Sequence, residues 1–241
     1  MSVIKKLFGW VDYHPYKRAL NGYLAGPSGG DRRPVFWATD DVCPQLHELE
    51  MAYPKIRAEM DALLATRMDM PAYHEINKPA TEIASTTGGR WNVFMLELLG
   101  HRLEKNLARC PETARALAHV PGRLQAFFSI LEPGKSVPLH EGPYLGYLRY
   151  HLGIRVPPEN PPLIRVAGQP YVWKEGEGVV FDDSWPHEVE NHSSESRVVL
   201  IVDMPRPLPF MANLVNRIIL RGIAAPTYGR WVIKSAARRS A

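Results

Sequence analysis

Residues 178–190 read GVVFDDSWPHEVE and contain two short runs of apolar or alternating residues with a polar turn between them. The run 178–181 is rich in β-branched and aromatic residues, and the run that begins at His187 alternates polar with apolar side chains. Aspartate, serine and proline lie between the two runs, and such residues favour turns because they bond or constrain their own backbone. The stretch therefore predicts two short strands joined by a tight turn.

Runs of the same kind occur on both sides of this stretch, separated by turns rich in proline, glycine and asparagine. They predict further strands at Leu124–Leu131, Tyr147–Val156, Leu163–Val166, Tyr171–Trp173 and Arg197–Val202. Strands this short and this regularly spaced favour an all-β sandwich or jelly roll over alternating β-α-β units.

Helical spacing of apolar residues flanks the strand-rich part. Between residues 44 and 65 it predicts helices that are interrupted near Pro54, and a further helical stretch is predicted after Asn92, through Phe94–Leu99. Another helix is predicted to open at Pro111, because proline is favoured in a first helical turn. We expect one domain, 1–241, made of a helical support region 35–120, a jelly-roll catalytic core 121–206 and a basic amphipathic tail 207–241.

The composition is that of an ordinary globular protein, with 45% hydrophobic and 22% charged residues, and it excludes collagen, coiled-coil and disordered classes. No stretch reaches the roughly 18 apolar residues of a membrane span. The start, Met1–Trp10, lacks the apolar core of a secretion signal. Two cysteines imply no disulfide framework. We expect a cytoplasmic protein, with the inner face of a membrane as a place of peripheral contact.

The positive charge is concentrated in the tail. After Asp203 there is no acidic residue and there are seven basic ones, whereas the rest of the chain carries 22 basic against 25 acidic residues. The tail residues Met211, Leu214, Val215, Ile218 and Ile219 have helical spacing. This pattern fits a basic helix on an anionic membrane surface, or equally a helix that caps the sheet and exposes its arginines. No nucleic-acid partner is expected.

His140 and His187 are candidate metal ligands. They lie at the ends of separate predicted strands. In a jelly roll, side chains of facing strands can meet at the open end of the barrel. Iron(II) oxygenases need a facial set of nitrogen and oxygen ligands with neighbouring positions open for cosubstrate and oxygen. The chain has nine histidines, so the pair alone is a weak signal.

The sequence around these histidines is more specific, and it resembles the aspartyl/asparaginyl β-hydroxylase family. The resemblance rests on His140–Pro143, Leu148–Ile154 and Phe181–Val189, and it extends to Trp91, Phe94, Pro111–Thr113, Ser129, Pro133–Gly134, Arg197 and Val202–Asp203. It covers about residues 80–206 and, more faintly, the helices from about residue 35. It implies a mainly β, cupin-like double-stranded β-helix with N-terminal helices and a helical tail. It also implies that the protein binds Fe(II), 2-oxoglutarate and O₂.

Carried over position by position, the resemblance assigns roles to seven residues. His140 and His187 match the iron ligands, Arg197 matches the arginine that pairs with the distal carboxylate of 2-oxoglutarate, and Ser129 matches a supporting hydroxyl. A guanidinium suits this role because its planar fork binds a carboxylate through two hydrogen bonds. Trp91, Arg149 and His151 match other cosubstrate-pocket positions.

The third iron-ligand position is the unusual one. In most 2-oxoglutarate oxygenases a carboxylate lies two residues after the first histidine, where this chain has Gly142. The family it resembles also has glycine there, and water is one candidate for that coordination position. Glu141 is a poor substitute, because adjacent residues on a strand point to opposite faces. Asp182 and Asp183 fit turn and supporting roles better than acid-base roles.

The resemblance implies hydroxylation of an unactivated C–H bond, with two candidate substrate classes. The β-carbon of an aspartyl or asparaginyl side chain in a peptide is expected first, and the acyl chain of a membrane lipid, such as lipid A or an ornithine lipid, is the alternative. A cupin-like binding module or a non-oxidative metal-dependent isomerase is a different class, which leaves Arg197 and Ser129 unexplained. An interaction protein that docks through its tail is a third class.

Overall fold

A computed structural model describes residues 13–66, 68–77, 81–84 and 88–239. The start Met1–Trp10, on which the expectation of no secretion signal rests, lies outside the described residues. The strands are β1 Phe36–Trp37, β2 Trp91–Leu98, β3 His101–Arg102, β4 Gln125–Leu131, β5 Val137–His140, β6 Tyr147–Arg155, β7 Leu163–Val166, β8 Gln169–Val172, β9 Gly178–Phe181, β10 His187–Glu190 and β11 Arg197–Pro205.

These strands form two antiparallel sheets that face each other. The larger sheet has the order β1-β9-β6-β11-β4-β2-β3, and the smaller one has the order β5-β10-β7-β8. The predicted turn at 182–186 connects β9 of the larger sheet with β10 of the smaller one. The mainly β, jelly-roll architecture expected of a double-stranded β-helix is therefore confirmed.

The larger sheet is buried on both of its faces. On β11, Val198, Leu200 and Val202 pack with the helices, whereas Val199 and Ile201 pack between the two sheets. This alternation follows from the strand period of two, which sends successive side chains to opposite faces. The candidate site lies on the face between the sheets.

Helices cover the outer face of the larger sheet. The helices of this half of the chain are α1 Tyr13–Ala25, α2 Thr39–Val42, α3 His47–Met51, α4 Tyr53–Ala65, α5 Tyr73–Ile76, α6 Thr81–Ala84, α7 Glu104–Arg109 and α8 Pro111–Ala118. Of these, α3, α4, α7 and α8 bury side chains in the cluster on that outer face, whereas Ile76 of α5 packs between the sheets. The predicted interruption falls at Ala52, just before Pro54 in the first turn of α4. Glu59 on α4 accepts hydrogen bonds from the backbone N–H groups of Glu112 and Thr113, so α4 satisfies the free donors that begin α8.

The helix predicted through Phe94–Leu99 is wrong, because residues 91–98 form strand β2. Phe94 and Leu96 pack with the helices while Val93 and Met95 pack between the sheets, so both faces of the strand are apolar. A strand buried on both faces has no polar alternation, and its sequence cannot be told from that of a buried helix. Pairing with β4, which sets Phe94 opposite Phe128, stabilises the strand. The region 35–120 thus supplies three strands besides its helices.

The tail folds back on the domain. Helix α9 Phe210–Ile218 continues through a π-helical segment, Ile219–Gly229, into helix α10 Arg230–Arg239. Helix α10 buries Val232 and Ala236 in the cluster between the sheets. Helix α9 buries Ala212 and Asn216. Among the described residues, no helix has the length and apolar character needed to cross a bilayer.

Candidate active site

The two predicted metal ligands lie side by side. His140 ends β5, His187 begins β10, and the antiparallel pairing sets them directly opposite each other, with ring centroids 4.1 Å apart. Nδ1 of His140 lies 2.7 Å from the carbonyl oxygen of Pro138, and Nδ1 of His187 lies 2.9 Å from that of Trp185. A carbonyl only accepts, so each Nδ1 carries the proton and each Nε2 keeps its lone pair.

Both imidazoles are held in their neutral form. Burial, and then the positive charge of a protonated His187, lower the pKa of His140 to about 4. Burial, and then Arg149, lower the pKa of His187 to about 4. A metal binds the neutral imidazole, so the pair is ready to bind a cation at neutral pH without first losing protons.

Asp183 takes the space of a side chain at position 142. A Cβ atom on Gly142 would lie 2.4 Å from Oδ1 of Asp183, and the backbone N–H of Gly142 donates to the carbonyl oxygen of Asp183. Oδ2 of Asp183 accepts a hydrogen bond from the hydroxyl of Tyr147, whereas Oδ1 is buried without a hydrogen-bond partner among the described residues. A carboxylate oxygen from the turn after β9 therefore lies against the backbone of Gly142.

Arg149 is engaged by two carboxylates. Its Nε and Nη2 donate to Asp203 at 2.8 and 2.9 Å, and its Nη1 lies 3.0 Å from Asp183. Burial raises the pKa of Asp183 and of Asp203, and the charge of Arg149 opposes that rise. Arg149 thus lines the candidate cavity, and its charge is used to orient two protein carboxylates.

Arg197, by contrast, is a buried cation whose charge is not balanced. Its side chain begins β11 and is 2% exposed, and its Nε and Nη1 have no hydrogen-bond partner among the described residues. The guanidinium lies 4.5 Å from the centre of the Trp173 ring. Burial lowers the pKa of Arg197 to about 9, so it remains charged at neutral pH. Buried charges in proteins are normally paired, so this guanidinium suits an anionic ligand.

Three further predicted residues lie close to Arg197. Trp91 donates its indole N–H to the hydroxyl oxygen of Ser129 at 3.0 Å, which leaves the Ser129 O–H to donate elsewhere. His151 is buried against Trp173 and Phe181, and neither of its ring nitrogens has a partner among the described residues. Burial, and then Arg197, lower the pKa of His151 well below its usual value.

All seven predicted site residues line one cavity between the two sheets. The cavity is lined by Trp91, Ser129, Val137, His140, Arg149, His151, Ile164, Phe181, His187, Val189, Arg197 and Ile201. Its histidines, its unpaired guanidinium and its apolar wall suit a metal ion together with a small dianion. Across the described residues no group of three or more His, Cys, Asp or Glu side chains converges as a metal site, so the histidine pair is the candidate ligand set.

Arg33 and Arg206, which the sequence does not mark for this role, hold the turn that carries His187 by pairing with Asp182. Asp182 is buried and pairs with Arg33 at 3.0 Å and with Arg206 at 2.7 Å. The guanidinium of Arg33 also lies 3.6 Å from the centre of the Trp185 ring. Asp182 therefore has the expected turn-supporting place. Arg33, Trp173 and the pairing of Arg149 with Asp203 carry no local sequence signal, because each depends on contacts between distant residues.

Known proteins similar to this chain point to one family. A model of the aspartyl/asparaginyl beta-hydroxylase family matches residues 50–207. The chain is 43% identical over 174 residues to an ornithine lipid ester-linked acyl 2-hydroxylase of Rhizobium tropici, covering 72% of this chain and 61% of that protein. It is 38% identical over 124 residues to human aspartyl/asparaginyl beta-hydroxylase, covering 49% of this chain and 16% of that protein.

This chain therefore spans less than two thirds of the length of either relative. Among solved structures, a prolyl-4-hydroxylase of Pseudomonas putida is similar at a TM-score of 0.41 and 17% identity, covering 64% of this chain and 88% of that one. The family match extends from helix α3 to the end of β11 and includes every residue of the candidate cavity. The chain belongs to the aspartyl/asparaginyl β-hydroxylase family.

Proposed function

We propose that this protein is an Fe(II)- and 2-oxoglutarate-dependent dioxygenase that hydroxylates an aliphatic C–H bond. The observation that carries the proposal is Arg197, a buried and unbalanced guanidinium in the same cavity as two neutral histidines. Neutral imidazoles suit Fe(II), and a buried guanidinium suits a carboxylate. A metal-chelating dicarboxylate meets both requirements in one molecule.

The proposal gives a task to the histidine pair, the two arginines and Ser129. His140 and His187 would hold Fe(II) through their Nε2 atoms, and Arg197 with the Ser129 hydroxyl would bind the distal carboxylate of 2-oxoglutarate. The bound iron supplies the oxidation, in which 2-oxoglutarate, O₂ and the substrate C–H give succinate, CO₂ and an alcohol. Arg149 fixes the carboxylates of Asp183 and Asp203.

The protein also supplies a dry surrounding for this chemistry. Val137, Ile164, Val189 and Ile201 form apolar walls around the histidines and Arg197. Excluding water strengthens the attraction between the guanidinium and a bound carboxylate, because the local dielectric is low. It also limits side reactions at the reacting carbon.

For the substrate we prefer a lipid acyl chain to the aspartyl or asparaginyl side chain that the sequence put first. A substrate aspartate needs a cation. Among the described residues, the cavity is lined by two arginines, Arg149 and Arg197, and by no lysine. Arg149 already pairs with two protein carboxylates, and Arg197 is assigned to 2-oxoglutarate, so neither is free to bind a substrate carboxylate. Beside His140, Leu139 is 64% exposed and Glu141 is exposed too, a setting that favours an apolar chain over an anionic one. Similarity to the Rhizobium tropici acyl 2-hydroxylase supports the same choice.

The test is succinate formation from 2-oxoglutarate by anaerobically iron-loaded protein. Lipids with ester-linked acyl chains would be compared with peptides that contain aspartate or asparagine, and the products would be identified by mass spectrometry. We expect succinate and a hydroxylated acyl chain in stoichiometric amounts, both lost in His187→Ala and retained in His192→Ala, since His192 is exposed outside the cavity.

Two other results would change the proposal. If the peptide were hydroxylated and the lipid were not, the substrate would be an aspartyl or asparaginyl side chain and not an acyl chain. If the protein bound iron but neither bound nor turned over 2-oxoglutarate, the proposed dioxygenase would be wrong and a non-oxidative cupin-like module would take its place.

A further inference from the structure

Helix α9 presents its large apolar side chains away from the protein. Phe210 is 79% exposed, Met211 62%, Leu214 43% and Ile218 58%. Residues 210, 214 and 218 repeat every four positions, so they form one stripe along the helix, with Met211 beside it. We call these four residues, together with the exposed Arg217 and Arg221, the tail face.

The inward side of the same helix is small or polar. Ala212 and Asn216 are the buried residues of α9. A helix that packs on a soluble domain normally buries its large apolar residues and exposes its polar ones. Here the arrangement is reversed, so the alternative in which α9 is an ordinary packing helix leaves the tail face unexplained. Contiguous exposed apolar surface of this kind marks a binding surface.

The charge around the tail face favours an anionic partner. Five exposed cations follow residue 206 within the described residues, namely Arg217, Arg221, Arg230, Lys234 and Arg238, and the sequence after Asp203 contains no acidic residue. The same segment exposes Ile223 and Trp231. Apolar side chains flanked by arginines, with tryptophan close by, are the composition of helices that lie in the headgroup region of a bilayer.

The tail face is joined to the candidate site through the segment that follows His140. Asn216 accepts a hydrogen bond from the hydroxyl of Tyr144 at 2.8 Å and donates one to the carbonyl oxygen of Gly146 at 2.7 Å. Arg206, just before α9, donates to the carbonyl oxygen of Leu145. A partner on the tail face would thereby contact a helix that is hydrogen-bonded to the chain segment shortly after His140.

From these observations we infer that the tail face docks on the surface of an anionic lipid bilayer. Phe210, Met211, Leu214 and Ile218 insert between the headgroups, and Arg217 and Arg221 meet the lipid phosphates. The inference rests on the proposed function and deepens it, because an enzyme that hydroxylates a lipid acyl chain would need its site beside a membrane surface. The docking step itself needs neither iron nor 2-oxoglutarate.

The experiment is flotation of the full chain with vesicles of phosphatidylcholine alone or mixed with phosphatidylglycerol, in the presence of a metal chelator. We expect binding to the anionic vesicles that weakens with added salt, because the charges of the tail face are exposed and screened. The variant Phe210→Ser/Leu214→Ser/Ile218→Ser should lose binding, and Arg217→Gln/Arg221→Gln should weaken it by about tenfold or more.

Matched controls distinguish binding through the tail face from non-specific adsorption to vesicles. Met51→Ser/Val172→Ser removes exposed apolar side chains elsewhere, and Arg32→Gln/Lys105→Gln removes two exposed cations elsewhere. Both controls should bind like the wild type, and all variants should keep the far-ultraviolet circular dichroism of the wild type. Equal loss in control and test variants, or no binding by the wild type, would overturn the inference.

Two readouts keep this inference distinct from the proposed function. Vesicle binding without acyl hydroxylation would leave the docking surface standing and reject the lipid hydroxylase. Hydroxylation of detergent-dispersed lipid without vesicle binding would do the reverse. Sedimentation of the free protein completes the test, because a dimer that is lost in the Phe210→Ser/Leu214→Ser/Ile218→Ser variant, together with absent vesicle binding, would assign the tail face to a second copy of the chain.

Discussion

Oδ1 of Asp183 lies 2.4 Å from the position that a Cβ atom on Gly142 would occupy. The space that a side chain at position 142 would occupy is thus filled by a carboxylate from the turn after β9. Arg149 and Tyr147 hold the other oxygen of that carboxylate, Oδ2. Glycine at 142 is a steric requirement of this arrangement.

We therefore expect Gly142→Ala to lower the free energy of unfolding by about 1–3 kcal/mol, since a methyl group must displace a buried carboxylate. Gly26→Ala is the matched control, because a Cβ atom there meets nothing within 4 Å. Urea denaturation measures both. If Gly142→Ala were as stable as Gly26→Ala, the contact with Asp183 would not restrict this position.

Arg197→Met should abolish 2-oxoglutarate binding while leaving the unliganded protein as stable as the wild type or more so. Replacing a buried, unbalanced cation by an apolar side chain removes its desolvation penalty, whereas the ligand loses its charged partner. Calorimetric titration and urea denaturation give the two quantities.

Arg123→Met provides the contrast to this variant. Its guanidinium pairs with the buried carboxylate of Glu97 outside the cavity. This variant should lose stability and keep 2-oxoglutarate affinity. A large loss of stability in Arg197→Met would mean that a protein group already balances Arg197.

The histidine pair predicts an acid-labile fold in metal-free buffer. The pKa of His140 and of His187 is about 4 in the folded protein against an ordinary value of 6.5, so the unfolded chain takes up protons first as the pH falls. The free energy of unfolding contributed by the pair should therefore decrease between about pH 6.5 and pH 4, on the order of 3 kcal/mol for each histidine.

The difference in unfolding free energy between the wild type and His140→Asn/His187→Asn isolates this contribution from those of other groups. A difference that does not change between pH 7 and pH 4 would show that the pair titrates normally.

The bidentate pair of Arg149 and Asp203 should show strong coupling in a double-mutant cycle. Asp203→Leu should cost less unfolding free energy than Arg149→Leu, because Arg149 keeps its ion pair with Asp183. Arg149→Leu leaves the two buried carboxylates without their cation, so it should cost about 3–5 kcal/mol. The double variant should recover part of that loss without recovering activity, because Asp183 remains without its guanidinium. Additive losses would argue that the two side chains act independently.

The strands that line the cavity could be predicted from sequence because each shows a signal of its own. β7, β9 and β10 begin and end at the residues predicted, since polar turns bound them closely. β2 was predicted as helix because both its faces are buried, so its apolar run has no period. Its identity is set by pairing with β4, which follows it in the chain only after helices α7 and α8.

The candidate site shows the same division. The seven residues taken from the family resemblance line one cavity, and their individual roles stay predictions. What the sequence could not supply is which charges are already balanced. In the sequence, Arg149 and Arg197 are the same residue type. In the fold, Arg149 pairs with two carboxylates, whereas Arg197 pairs with none among the described residues, and this difference arises only from folding.

Asn216 commits both ends of its amide to the segment that follows His140. A protein that ends at residue 207 would lack α9 and would also lose the hydrogen bonds that Asn216 makes with Tyr144 and Gly146. A defect in such a protein could come from the missing tail face or from the altered segment after His140. Full-length variants avoid this confusion. Coupling between two binding events is reciprocal, so any factor by which a bilayer alters affinity for 2-oxoglutarate must equal the factor by which 2-oxoglutarate alters affinity for the bilayer. Vesicle titrations with and without the dicarboxylate would close that thermodynamic cycle.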